Sequence, residues 1–199
     1  MTNNEPERCS WCESADDYRA YHDNVWGRPV RDPIELFAKL CLDGQQAGLS
    51  WLTILRKQAG YEKAFLGFDP KAIVAMSDAD RERLYSNRDI IRSKAKIDAI
   101  FTNAEAFLKL EAKGIKFEQW LWAFVGGSPI INAYRTQSEI PTETEASQSM
   151  AKALKKEGFK FVGPTICYAF MEAVGMVNDH VISCHCYQPV ADQMKQFTL

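Results

Sequence analysis

The chain has 199 residues, 46% of them hydrophobic and 25% charged, with a formal net charge of −2. That length suits a single domain with a sizeable core, and the charge excludes attachment to nucleic acid by bulk electrostatics while leaving room for a local nucleic-acid face. No stretch approaches the ~18 apolar residues of a membrane span, and Met1 to Glu7 is polar with no apolar export segment, so a cytoplasmic protein with reduced cysteines is expected.

In chain order, Cys9-Ser10-Trp11 and Tyr18 through Gly27 crowd aromatic, cysteine and histidine side chains into a segment with little regular periodicity. Asp32-Pro33-Ile34-Glu35 reads as a helix start, with Asp as N-cap, Pro at the first helical position and Glu reaching back, and the helix runs to about Asp43. Leu42 to Trp51 then sets a carboxylate and two amides between segments that demand burial. Gly44 and Gly48 let the backbone turn or approach a ligand, and Trp51 offers a flat wall. The ordinary reading is a helix-to-helix corner with capping amides; the other is a ligand site. Ser50 caps a helix to about Lys57, and Tyr61 to Leu66 forms a short one. Asp69-Pro70 and Ser77-Asp78-Ala79-Asp80 start two more. Ile97, Ile100, Phe101, Ala104 and Leu108 mark the longest helix, from near Ser93 to Gly114, and Phe117 to Val125 is stopped by Gly126-Gly127. Ile130 to Thr142 reads as a loop. No strand alternation, repeat or linker competes, so the class is all-α with short helices.

Thr144 to Glu157 is a helix ending on Gly158, and a second runs from Pro164 to about Val174. The Phe159 to Thr165 connection between them leaves backbone N–H groups free at a helix N-terminus, which suits one phosphate, although a Gly-Pro helix start is also a common structural device. Cys9 with His22, and His180 with Cys184, supply two thiolates and two imidazoles, a complete tetrahedral set for one structural zinc that would clip the N-terminal segment to the C-terminal one. The same residues also read as separate thiols and hydrogen-bonded histidines, and His185 and Cys186 are competing ligands. Cys41, Cys167, Trp120 and Trp122 read as core, while Lys155-Lys156 and Arg92-Lys94-Lys96 read as solvated helix faces.

Several long motifs in one order resemble the 3-methyladenine DNA glycosylase I family, a branch of the helix-hairpin-helix repair glycosylases. They are Cys9-Ser10-Trp11, Tyr21 to Gly27, Gly44 to Trp51, Lys155 to Gly163, Thr165 to Tyr168, and Val177-Asn178-Asp179-His180. The resemblance spans about 8–187 of one domain, leaving 1–7 and 188–199 as tails. It implies a helical bundle with Cys9, His22, His180 and Cys184 holding one zinc, and an aromatic base pocket of Trp11, Tyr18, Tyr21, Trp26 and Trp51. It also implies a DNA-gripping hairpin containing Lys160, Val162, Gly163 and Thr165, with Gly48 and Leu49 entering the space left by an extruded nucleotide. The family's pocket carboxylate is usually Glu; here Asp43 stands at that place, one methylene shorter. Asp179 takes second rank, as a neighbour of the metal shell.

The implied reaction is monofunctional hydrolysis of the N-glycosidic bond of N3-methyladenine in alkylated double-stranded DNA, as in bacterial base-excision repair, with free 3-methyladenine as product. N3-methylation makes the base cationic and a ready leaving group, so stacking faces and few polar contacts are what the chemistry calls for. A monomer at work on the nucleoid is the expected setting. Two other functions compete: a zinc-stapled DNA-damage-binding protein without glycosylase activity, and a small-molecule hydrolase with a catalytic metal, against which four protein ligands count.

Overall fold

The computed structural model describes residues 5–199, and among them the chain is helical, as expected, with two-residue strands as its only sheet. No described helix is long and apolar enough to cross a membrane. At the centre lies α2 (Pro33–Gln45), which buries Leu36, Phe37, Leu40 and Cys41. Asp32 caps it by accepting from the Ile34 and Glu35 N–H groups, while Glu35 makes no reciprocal bond among the described residues. Short helices α3 (Trp51–Leu55), α4 (Gln58–Ala64), α5 (Pro70–Val74) and α6 (Asp78–Leu84) follow, started by Ser50, Asp69 and the Ser77/Asp80 capping box. The longest, α7 (Lys94–Ala112), packs against α2 and α5 and leads to α8 (Phe117–Trp122). The Trp122 indole is buried and donates to the Val30 carbonyl at 3.0 Å, which supports its core reading.

The Thr144 N-cap with Ser147 opens α9 (Glu145–Glu157), and Gly158 closes it at φ +101°. It packs on α10 (Pro164–Ala173), which in turn packs on α2. Three expectations need correction. The N-terminal segment, read as irregular, contains α1 (Asp16–Asn24); it buries Tyr21 and His22 instead of aliphatic residues, so no apolar stripe announces it. The Ile130 to Thr142 stretch is pinned by a parallel bridge of β1 (Ile130–Ile131) with β2 (Val177–Asn178), too short to show alternation. Residues 188–199, expected as a tail, carry most of α11 (Tyr187–Lys195), which buries Val190, Ala191 and Met194, and Phe197 beyond it stacks on Trp122 with ring centroids 4.2 Å apart. Of the other expected tail, 1–7, residues 1–4 lie outside the described residues, and the Glu7 carbonyl accepts from the His185 N–H at 2.8 Å.

Candidate active site and metal centre

Helix α1 presents Tyr18 and Tyr21 on one face, three residues apart, and the turns flanking it bring in Trp11 and Trp26. Helix α2 adds Lys39 and Asp43 from successive turns, and Trp51 opens α3. These side chains line a cavity of about 220 Å³, so all five aromatics and the carboxylate singled out in the sequence meet at one place. That volume is below the roughly 300–1,000 Å³ of pockets for drug-sized ligands and suits a fragment such as one nucleobase. The rings brace one another edge to face, with centroids 4.8 Å apart for Trp11–Tyr18 and 5.0 Å for Trp11–Trp26.

Two buried polar atoms in the pocket wall have no hydrogen-bond partner among the described residues, Asp43 Oδ2 and Trp51 Nε1. An unpartnered acceptor and an unpartnered donor in an aromatic pocket are an unmet demand that a flat heterocycle fulfils. The other Asp43 oxygen accepts from Lys39 Nζ at 2.7 Å, and the same ammonium lies 3.4 Å from the centroid of the Trp51 ring. Burial raises the Asp43 pKa and lowers that of Lys39. Burial also lifts the Tyr21 phenol well above its ordinary value and keeps it neutral.

Sequence reasoning missed Lys39 and Glu172, which both line this cavity. Lys39 lay hidden inside an amphipathic pattern, and only its i,i+4 spacing to Asp43 hinted at a pair. Burial raises the Glu172 carboxyl well above its usual range, with Asp179 adding to the effect. Asp179 does not line the cavity: its oxygens accept from Tyr168 Oη at 2.6 Å and Asn132 Nδ2 at 2.7 Å, so it ties α10 to the residue that follows β1.

Beside the pocket, a second cavity of about 210 Å³ shares Asp43, Gln46 and Ala169 with it and is rimmed by Gly48, Leu49 and Thr165. Leu49 is exposed and Gly48 turns at φ +74° with open space around it. The α9–α10 connection is held by Asn103, whose amide accepts from the Lys160 N–H at 2.7 Å and donates to the Lys160 carbonyl at 3.3 Å. The Val162 side chain is buried, so only its main chain is available to a ligand, whereas Thr165 is exposed at the start of α10.

Cys9, His22, His180, Cys184 and Cys186 are all buried. Donor atoms of His22, His180, Cys184 and Cys186 lie within 4.8 Å of one another, and an overlapping set joins His22 and Cys186 to Asp23 and His185; Cys9, expected as a ligand, is in neither set and hydrogen-bonds Cys184 instead. Hydrogen bonds from Cys186 and then Cys9 hold the Cys184 thiol far below its ordinary pKa. His180 places Nδ1 2.9 Å from Asn178 Oδ1 and leaves Nε2 buried with no hydrogen-bond partner, its pKa pushed down to about 3 chiefly by burial. His22 sets Nδ1 2.8 Å from Asp23 Oδ1 and Nε2 3.5 Å from Cys184 Sγ. A tetrahedral N/S zinc site has an N···S edge of about 3.6 Å, and ligand histidines have their second nitrogen tied as these are, so the residues fit such an ion. The cluster also backs the pocket: His22 lies against Trp11 and His180 against Trp26, at 5.3 and 4.6 Å between centroids.

A family model described as methyladenine glycosylase matches residues 11–187. DNA-3-methyladenine glycosylase 1 of Escherichia coli (strain K12) is 52% identical to this chain over 181 residues, covering 91% of this chain and 97% of that protein. Among solved structures, a crystal structure of 3-methyladenine DNA glycosylase I superposes with a TM-score of 0.89 at 51% identity, covering 91% of this chain and all (100%) of the other. A variant of 3-methyladenine DNA glycosylase I in complex with 3-methyladenine gives a TM-score of 0.85 at 37% identity, covering 90% and 97%.

Proposed function

The chain belongs to the methyladenine glycosylase family, and on that premise we propose that it excises N3-methyladenine from alkylated double-stranded DNA by hydrolysing the N-glycosidic bond. The observation that carries this reading is the unpartnered Asp43 oxygen inside a cavity walled by Trp11, Tyr18, Tyr21, Trp26 and Trp51. Duplex DNA keeps its bases stacked, so the damaged nucleotide must swing out to reach that cavity. Leu49 then fills the gap left in the stack, a role supported by its exposure beside Gly48 at the rim of the adjoining cavity. In the pocket, indole and phenol faces attract the cationic ring at ~0.5–2 kcal/mol per contact, while neutral adenine gains less. Asp43 Oδ2 accepts from the exocyclic amino group, and the carboxylate offsets the ring's positive charge.

Methylation has already made the base a neutral leaving group, so no strong general acid is required. Water adds to the oxocarbenium-like sugar as the base departs, which leaves an abasic site and free 3-methyladenine. Lys160 serves the DNA backbone and forms no Schiff base, making the enzyme monofunctional. The α9–turn–α10 unit acts as a helix-hairpin-helix grip, in which main-chain N–H groups of Val162, Gly163 and Thr165 with the Lys160 side chain receive phosphate oxygens.

The buried Cys/His cluster would hold one zinc through His22, His180, Cys184 and Cys9, the last tied to Cys184 by a side-chain hydrogen bond, with Cys186 as the competing ligand. Bound there, zinc supplies structure: four protein ligands leave no position for a reacting water. Its work is to fix the two histidines on which Trp11 and Trp26 pack. The activity is tested by chromatography of bases freed from methylated duplex DNA. Release of 3-methyladenine with no strand scission is expected. Binding to abasic DNA with no base released would make the protein a damage-binding module instead.

A further inference from the structure

The pocket already contains a cation. Lys39 Nζ lies 3.4 Å from the Trp51 ring centroid and 2.7 Å from Asp43 Oδ1, so an ammonium occupies both the aromatic face and the carboxylate that a positively charged base would use. Lys39 also has somewhere to go. Together with Tyr21, Trp51 and Ala173 it separates the pocket from a larger groove of about 950 Å³, because these four residues line both. On the groove side stands Glu35, one turn back along α2, exposed, its carboxylate making no hydrogen bond or ion pair among the described residues. Glu at i with Lys at i+4 is the favoured order for a helical ion pair, whereas Lys39 followed by Asp43 is the reverse order.

Resting on the glycosylase reading above, we infer that Lys39 is a specificity-determining charge gate: its ammonium holds the Trp51 face and Asp43 in the empty pocket and swings to Glu35 when a cationic base enters. A methylated, positively charged ring replaces the charge it displaces and leaves Asp43 paired. Neutral adenine would strip Asp43 and Trp51 of their cation and give nothing in return. The gate therefore weakens all base binding but weakens that of undamaged adenine more. No bond is made or broken; one ion pair is exchanged for another.

The test measures single-turnover release of 3-methyladenine from methylated duplex DNA, with and without free adenine as competitor. Lys39→Met should lower the half-saturating enzyme concentration about tenfold, change the maximal rate less, and make release sensitive to adenine concentrations that leave the wild type unaffected. Glu35→Gln should raise half-saturation about threefold when Lys39 is present and have no effect in Lys39→Met. Lys39→Gln provides the same readings if the Met variant folds poorly. Unchanged or weaker binding in both Lys39 variants, or a Glu35→Gln effect that is the same with and without Lys39, would overturn the gate while base release by the wild type still stood. Absence of release from wild type and variants alike would remove the glycosylase reading and the gate together.

Discussion

Gly44 lies against the main chain of Phe161: a Cβ added to it would stand 3.1 Å from both the Cβ and the carbonyl oxygen of Phe161. The residue after Asp43 thus touches the α9–α10 connection, and the carboxylate and the proposed DNA grip share one packed joint. Phe161 itself sits at φ +54°, so its backbone has little freedom to yield. Gly44→Ala would gain about 1 kcal/mol of helix propensity but cost about 1–3 kcal/mol in overpacking. A net loss of about 1 kcal/mol is expected, read as a lowered melting temperature. Unchanged or raised stability would show that the joint is loose.

Gly175 faces a harder constraint. It turns at φ +70°, and a Cβ there would lie 2.4 Å from the Pro29 nitrogen and 2.5 Å from the Arg28 carbonyl carbon. Backbone cannot move aside as a side chain end can. Gly175→Ala should cost several kcal/mol, roughly 3 or more, from left-handed strain and the clash together. Denaturant titration would measure this; a loss below about 1 kcal/mol would contradict the close approach.

The pH profile follows from Asp43, whose pKa burial raises. Below that pKa the carboxyl is neutral and no longer complements a cationic ring, so base release should fall as the pH is lowered through a midpoint above the ~3.9 of an exposed aspartate. In Asp43→Asn the limb assigned to this group should vanish, leaving a low and flatter profile. An acid limb that persists in the variant would assign it to another group.

The proposed zinc can be counted directly. Elemental analysis should give one zinc per chain, and His180→Ala or Cys184→Ser should lose it and melt at lower temperature, since metal binding and folding are linked. Cys9→Ser should lose the metal while Cys186→Ser keeps it, although Cys186 lies in both donor groups and Cys9 in neither. The opposite result for the two cysteines would place Cys186 in the shell. Loss of the ion should also disturb Trp11 and Trp26, visible in their fluorescence, because His22 and His180 lie behind them.

Much of this molecule could be read from its sequence. Caps at Asp32, Ser50, Asp69, Ser77 and Thr144 fall where the helices begin, because capping is a local interaction between a side chain and the next turn. The pocket aromatics and Asp43 were legible from their motifs, and the structure brings them into one cavity. What escaped notice depends on contacts between distant residues. Helix α1 buries functional side chains in place of aliphatic ones, and the β1–β2 bridge pairs residues 47 positions apart (Ile130 with Val177). Glu172 and Lys39 look like ordinary polar positions of amphipathic helices until the fold turns them into the pocket.

In the proposed reaction Asp43 and the aromatic walls receive a cationic base. The most direct measurement is the single-turnover rate of 3-methyladenine release from methylated duplex DNA by wild type and by Asp43→Asn, both verified as folded. Loss of a charge-assisted hydrogen bond of about 1.5–3 kcal/mol should slow release by roughly 10- to 150-fold in the variant. Equal rates in the two proteins would show that the base is held elsewhere.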